Sequence, residues 1–319
     1  MNFCYLIQTH KNPDQVYRLV RLIKRSNPRA EIIITHDAHA HELSIQPLQA
    51  LDNIYLIQDK KPRFRGDFTL IKPYLDAIKV LKGRGSDFDW LIYLSGQDYP
   101  VSSILETENF FRETNYDGFL DFWSSFSDNN VWSRGKFWRR YFCQYRRYPE
   151  WTMPLIRQLR SLSKHRAKIS SPRFRGLIPN IQFFLTYGPI VGIPASETPF
   201  TDAFLCYGGY QWHSLSRDCV LYIDDYIQKR PDLIQYYART VVPDESLIQT
   251  ILVNSGRFKL HNGSMRFADT DGREYGHARI LTESDYDNLV SGNYHFARKF
   301  DSMIDPRILD KLDVFVAGV

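Results

Sequence analysis

Between Asn2 and Leu94 short apolar runs alternate with stretches of helical spacing, and few folds accept that order. Residues 2–9, 31–35, 53–58 and 90–94 read as strands. Between them Val16, Leu19, Val20 and Ile23 recur at the helical period, residues 41–51 read as helical, and Phe68, Ile71, Leu75, Ile78 and Leu81 mark another helix. Strand–helix alternation predicts an α/β fold built on a Rossmann-type, mainly parallel sheet with both faces covered. Ligands of such sheets sit at the carboxyl ends of strands. Here those ends carry Thr9-His10-Lys11, Thr35-His36-Asp37 and Ser95-Gly96-Gln97-Asp98, which predicts a nucleotide pocket.

The pattern breaks in a basic, aromatic, partly helical insertion over residues 124–180. It resumes with an apolar segment over 181–193, the turn Gly208-Gly209, a helix over about 214–229, and a helix opened by Asp244 as its N-cap. At 319 residues, 43% hydrophobic, the chain has material for a large core. It reads as one domain over 1–319: a nucleotide-binding half (1–123), the insertion (124–180), and an acceptor and catalytic half (181–319). From Arg134 to Arg175 thirteen Lys/Arg face the single acid Glu150, whereas the whole chain is only +5. Basicity that local points to a partner surface.

Cys4, Cys143, Cys206 and Cys219 lie far apart with no metal-ligand spacing, so reduced thiols and a cytoplasmic location are expected. The run Phe3-Cys4-Tyr5-Leu6-Ile7 meets Lys11 and Asp14 too soon for a secretory core or a membrane span.

Two elements carry chemistry. Pro243-Asp244-Glu245-Ser246 precedes the apolar stripe Leu247, Ile248, Ile251 and Leu252, and Arg298-Lys299 lies among aromatics near the end. Both have plain structural readings, as first-turn acids in a helix dipole and as a solvated cationic pair between buried Phe296 and Phe300. Together, a carboxylate that takes a proton and cations that receive a departing diphosphate suffice to move a sugar off a nucleotide without a metal. Metal-dependent transferases hold a divalent ion by Asp-x-Asp at a strand's carboxyl end. Asp87-Phe88-Asp89 precedes its strand, Asp285-Tyr286-Asp287 opens a helix, and only Asp269-Thr270-Asp271 stays open on a loop. No metal or other cofactor is therefore expected. His10 and Asp37 are the nucleotide-side candidates, Asp37 as acceptor from uracil or ribose. Trp212, in Gly208-Gly209-Tyr210-Gln211-Trp212, is either a core tryptophan or a platform for an acceptor sugar.

Within the insertion Trp151, Leu155, Leu159 and Leu162 recur at helical spacing with Arg157, Arg160, Lys164 and Arg166 opposite. The segment reads either as a basic amphipathic helix lying on an anionic bilayer or as a core-packed helix with a solvated basic face. Arginines interleaved with Trp138, Tyr141, Tyr145 and Tyr148 also admit nucleic acid, which is not the expected partner.

Five blocks make the chain resemble the core-2/I-branching β-glycosyltransferases, a family that includes the peptide O-xylosyltransferases. They are Tyr5-Leu6-Ile7-Gln8-Thr9-His10-Lys11, Leu94-Ser95-Gly96-Gln97-Asp98-Tyr99-Pro100, Gln211-Trp212-His213-Ser214-Leu215-Ser216-Arg217, Pro243-Asp244-Glu245-Ser246 and Phe296-Ala297-Arg298-Lys299-Phe300-Asp301. The resemblance implies a GT-A-like fold and a metal-independent, inverting transfer from a UDP-sugar. By matching position it implies Glu245 as base, Arg298 and Lys299 as diphosphate-binding cations, Asp37 on uracil, and Trp212, Asp98 and Arg139 on the acceptor side. Arg139 comes from Phe137-Trp138-Arg139-Arg140-Tyr141, a segment similar to one that contacts acceptor in the branching enzymes. Arg298 follows the xylosyltransferase pattern and Gly96-Gln97-Asp98 the branching pattern, so the donor is open between GlcNAc, favoured, and xylose. The acceptor is a glycan or a lipid-linked hydroxyl, with residues 134–175 in peripheral contact with the inner membrane face. The alternative is a non-catalytic protein whose insertion grips anionic membrane or nucleic acid.

Overall fold

The structure, a computed structural model, describes residues 1–39, 41–126, 133–169, 181–270 and 278–318, with side chains omitted for 163–169. Asp271 of the open Asp-x-Asp, Arg173, Arg175 and the side chains of Lys164 and Arg166 lie outside the described residues.

The first half follows the expected order: β1 (Phe3–Thr9), α1 (Pro13–Ser26), β2 (Glu31–Asp37), β3 (Ile54–Asp59), α2 (Lys72–Gly83), β4 (Trp90–Ser95), β5 (Asp98–Pro100), α3 (Ile104–Glu113), β6 (Gly118–Leu120) and β7 (Trp123–Ser124). Pro13 opens α1 where its missing N–H costs nothing, Asp14 sits in the first turn and Lys24 and Arg25 in the last, each on the side the helix dipole favours. The helix expected over 41–51 does not form. Pro47 has no amide to donate and the Ser44 hydroxyl takes the Gln46 N–H, so only the 3-10 turn Gln46–Leu48 remains.

The insertion supplies α4 (Arg134–Tyr141), β8 (Cys143–Arg147) and α5 (Met153–Ile169), and its small sheet draws in β9 (Gln182–Phe183) and β10 (Ile190–Pro194) from beyond residue 180. Then follow β11 (Tyr207–Gly208), β12 (Ser214–Ser216), α6 (Arg217–Lys229), α7 (Pro231–Tyr237), α8 (Leu247–Ser255), β13 (Leu260–Asn262), β14 (Arg266–Ala268), α9 (Tyr286–Ser291), β15 (Phe296–Arg298) and α10 (Pro306–Ala317). The helix expected from Ser214 starts three residues late, because Ser214, Leu215 and Ser216 pair with Ile92, Leu91 and Trp90 before Ser216 caps α6 through the Cys219 N–H.

Seven strands form the central sheet in the order β13-β6-β12-β4-β1-β2-β3. Only β12 runs antiparallel to its neighbours. Alternation along the strands sorts side chains to two cores. Phe3, Tyr5, Ile7, Ile32, Ile34, Ile92 and Leu94 pack with α1, α3 and α10 on one face. Cys4, Leu6, Ile33, Leu91 and Tyr93 pack with α2, α6 and α8 on the other. Beside this sheet β5, β15 and β14 form a three-stranded one, in which Arg298 pairs across from Asp98.

The core-packed reading of the insertion helix is corrected here. Ile156 is buried, but Leu155, Leu159 and Leu162, with Trp151 just before α5, stand in solvent. All four cysteines are free and buried. Among the described residues no helix is long and apolar enough to cross a membrane.

Candidate active site

Carboxyl ends of four strands open onto one cleft of about 560 Å³, ample for a nucleotide sugar. Thr9 ends β1, His10 and Lys11 follow it, Asp37 ends β2, Gln97 follows β4 and Asp121 follows β6. Arg298 and Lys299 enter from the end of β15, and Asp244 and Glu245 from the far side. The base candidate, both diphosphate candidates and both nucleotide candidates thus line one hollow.

At the cationic end the sheet register does the placing. Arg298, its side chain 13% exposed, sets Nε 3.4 Å from the Asp98 carboxylate, and its guanidinium lies 4.2 Å from the Trp212 ring centroid. Stacking plus one acid leave part of a planar cation directed at the cleft. Lys299 is half-buried, and burial, then Arg298 and Arg65, push its ammonium down to about 8. The turn behind them is tied to the loop after β1: Asp301 accepts from Lys11 Nζ at 2.7 Å and from Asn12 Nδ2 at 2.8 Å.

The basic end is built differently. Asp244 is not the N-cap of a helix. Pro243–Glu245 forms a 3-10 turn and α8 begins only at Leu247, so Glu245 stands just ahead of that helix and not in its first turn as expected. Instead Arg140 Nη1 donates to Glu245 Oε2 at 2.6 Å, with the Arg140 side chain 8% exposed and that of Glu245 26%. A fixed cation aims the carboxylate. Asp244 is buried and lines the cleft, and its Oδ1 has no hydrogen-bond partner among the described residues. Burial, then the charge of Glu245, pushes Asp244 up to about 7.

Two glycines hold this end together. Gly66 has φ +74°, accepts the Val242 N–H at 2.9 Å through its carbonyl, and would press a Cβ to 2.7 Å from the Tyr187 ring. At Gly209, whose N–H donates to the Glu245 carbonyl at 2.8 Å, a Cβ would fall 1.7 Å from the Asp121 carbonyl oxygen.

The three acceptor-side candidates do not stand as expected. Asp98 is 1% exposed and spends its carboxylate on Ser95 N, Ser95 Oγ and Arg298, because it closes a tight turn after β4. It positions Arg298 and is absent from the cleft lining. Arg139 lies over the Phe184 ring, 5.0 Å from its centroid, since neighbouring helical residues point about 100° apart. Its neighbour Arg140 reaches the base. Trp212 lines the cleft but carries Arg298 on its ring and packs against Tyr93, so it is not an open platform. On the nucleotide side Asp37 accepts the His39 N–H at 3.0 Å, and Arg63, donating to the His36 carbonyl at 2.8 Å, adds a cation beside it.

Sequence reasoning missed Arg140, Arg63, Arg65, Asp121 and the cleft role of Asp244. Arg63, Arg65 and Asp121 follow the carboxyl ends of β3 and β6, so the strand-end rule reaches them once those strands are recognised.

Among the described residues, four of the Asp-x-Asp carboxylates have partners of their own. Asp89 accepts the Asn2 N–H and Asp87 pairs with Arg217, on strand ends opposite the cleft, while Asp269 and Asp285 share Arg279. Among the described residues no group of three or more His, Cys, Asp or Glu is gathered to hold a metal ion.

The sequence profile of the core-2/I-branching enzymes matches residues 3–160 and 184–290. The chain is 25% identical over 310 residues to beta-glucuronosyltransferase GlcAT14B of Arabidopsis thaliana, across 95% of this chain and 60% of that protein. It is 24% identical over 301 residues to beta-glucuronosyltransferase GlcAT14A of the same plant, across 93% and 57%. The chain therefore spans less than two thirds of the length of these curated relatives. Among solved structures it is similar to a 4-diphosphocytidyl-2C-methyl-D-erythritolsynthase from Anaerococcus prevotii, at 12% identity and a TM-score of 0.37, over 91% of this chain and 95% of that one. With a profile match over most of its length, the chain belongs to the core-2/I-branching enzyme family.

Proposed function

We propose that residues 1–319 act as one catalytic domain that moves a sugar from a UDP-sugar to a hydroxyl acceptor by a single, inverting, metal-independent displacement. Glu245 takes the acceptor proton, the freed oxygen attacks C1 from the face opposite UDP, and Arg298 and Lys299 balance the charge of the departing diphosphate. One displacement inverts C1 and yields a β linkage. The observation that carries the reading is the convergence on one cleft of Glu245, held by Arg140, and the pair Arg298 and Lys299. His10, Asp37 and Arg63 are assigned to the nucleotide.

The motif resemblance favours UDP-GlcNAc, then UDP-xylose. The names of the two Arabidopsis relatives add UDP-glucuronic acid, whose carboxylate suits a cleft that Arg63 and Arg65 also line. A glycan or lipid-linked hydroxyl is the acceptor. The same reading places the protein in the cytoplasm, supported by its four unpaired cysteines, with residues 134–175 against the inner membrane face.

A screen of UDP-sugars for UDP release, with and without EDTA, tests donor and metal together. Release from one donor, insensitive to EDTA and lost in Glu245→Gln, is expected. Release that requires added Mn²⁺, or that survives Glu245→Gln, overturns the scheme.

A further inference from the structure

An amphipathic helix of a packed domain turns its apolar stripe to the core. In α5 the stripe faces out. Ile156, 5% exposed, and Thr152, 9%, hold the segment to the protein, whereas Leu155 is 56% exposed, Leu159 48%, Leu162 55% and Trp151, just before the helix, 80%. Spacings of four and three residues put the leucines on one line about 10 Å long. Ile193, on β10 of the same small sheet, is 52% exposed as well.

This apolar row lies in the stretch where thirteen Lys/Arg meet one acid, and Arg146 and Arg157 are exposed within it. The pairing decides the occupant. Leucines at an edge offer nothing to a nucleic-acid backbone, which rewards cations and stacked rings. An apolar protein partner gains nothing from surplus positive charge. A bilayer with acidic headgroups accepts both, taking the leucines and tryptophan at the acyl boundary while the cations meet the headgroups.

We propose that Trp151, Leu155, Leu159 and Leu162 form the surface by which this protein docks on an anionic lipid bilayer. The proposal deepens the membrane contact of the functional reading above and rests on it, naming the exposed side chains that enter the bilayer. Arg140, the partner of Glu245, lies on α4 of the same insertion.

The test is co-sedimentation of the full chain with vesicles of phosphatidylcholine alone and of phosphatidylcholine with an equal part of phosphatidylserine. Binding to the mixed vesicles is expected to exceed binding to the neutral ones, to fall but not vanish with added salt, and to drop about tenfold or more in the double variant Leu155→Asp, Leu159→Asp. Both sites are exposed, so the variant keeps its thermal midpoint and its UDP release from a soluble donor. The proposal is overturned if the parent does not sediment with anionic vesicles, or if the double variant sediments as well as the parent. It is equally overturned if the parent ignores vesicles and is a dimer that the variant dissociates, for the occupant is then a second copy. Loss of donor turnover in the parent with vesicle binding intact sinks the enzymatic scheme and leaves the docking surface standing.

Discussion

The two ends of the cleft hold their charges by different means. At the diphosphate end Arg298 sits in a strand paired with β5, opposite Asp98 and against Trp212, so strand register, an ion pair and a stacked ring share its placement. At the basic end Glu245 stands on a short 3-10 turn and takes its orientation from Arg140, which arrives from the insertion. A position set by strand register resists local substitution. A position set through an ion pair with a distant segment depends on that segment.

The sharpest test of the contrast is Glu245→Gln, which removes the proton acceptor but keeps the shape. Turnover is expected to fall by at least about a hundredfold while UDP affinity, measured by calorimetry, stays within about twofold. Arg298→Ala comes next: about a hundredfold in turnover, as for a lost oxyanion donor, and here UDP affinity falls too. If both variants moved affinity alike, the two ends would not be separate functions.

Arg140→Ala probes the dependence on the insertion. Glu245 keeps solvent contact, so about tenfold in turnover and about 1–2 kcal/mol in stability are expected, below the cost of breaking a fully buried pair. Urea melts and steady-state rates separate the two losses. Gly209→Ala should act on folding first, since its Cβ collides with backbone at Asp121; a loss of more than about 2 kcal/mol is expected by the same melts.

The smallest effect is a titration. The Lys299 ammonium, pushed down to about 8, loses its charge as pH rises through that value, and a bound diphosphate holds the proton to higher pH. UDP affinity is therefore level from pH 7 to 8 and falls above it, by up to tenfold per unit. Lys299→Arg should flatten that limb.

Much of the fold was legible because burial repeats with a period. Val16, Leu19, Val20 and Ile23 in α1 and the alternating faces of β1, β2 and β4 follow directly from that rule. Residues 41–51 failed because a helical count of apolar positions ignores Pro47 and the competing Ser44 hydroxyl. In the site, Glu245, Arg298, Lys299, His10 and Asp37 were reachable by motif and strand-end position. The motif points to Arg139 and not to Arg140, since helix phase relative to a distant turn is not written locally. Membership of the core-2/I-branching enzyme family supports the proposed enzyme over a non-catalytic binder.

By itself the amino-acid order determined which faces are apolar, where the chain turns, and which side chains carry charge, because these depend on neighbours a few residues away. Only the tertiary structure decided that Arg140 meets Glu245, that Asp98 serves Arg298 and not a substrate, that Asp244 is buried with its carboxyl pushed up, and that the leucines of α5 face water. Each of those depends on contacts or burial created by segments far apart along the chain. Local periodicity carries no information about such distances, and desolvation exists only once the chain has closed around the group.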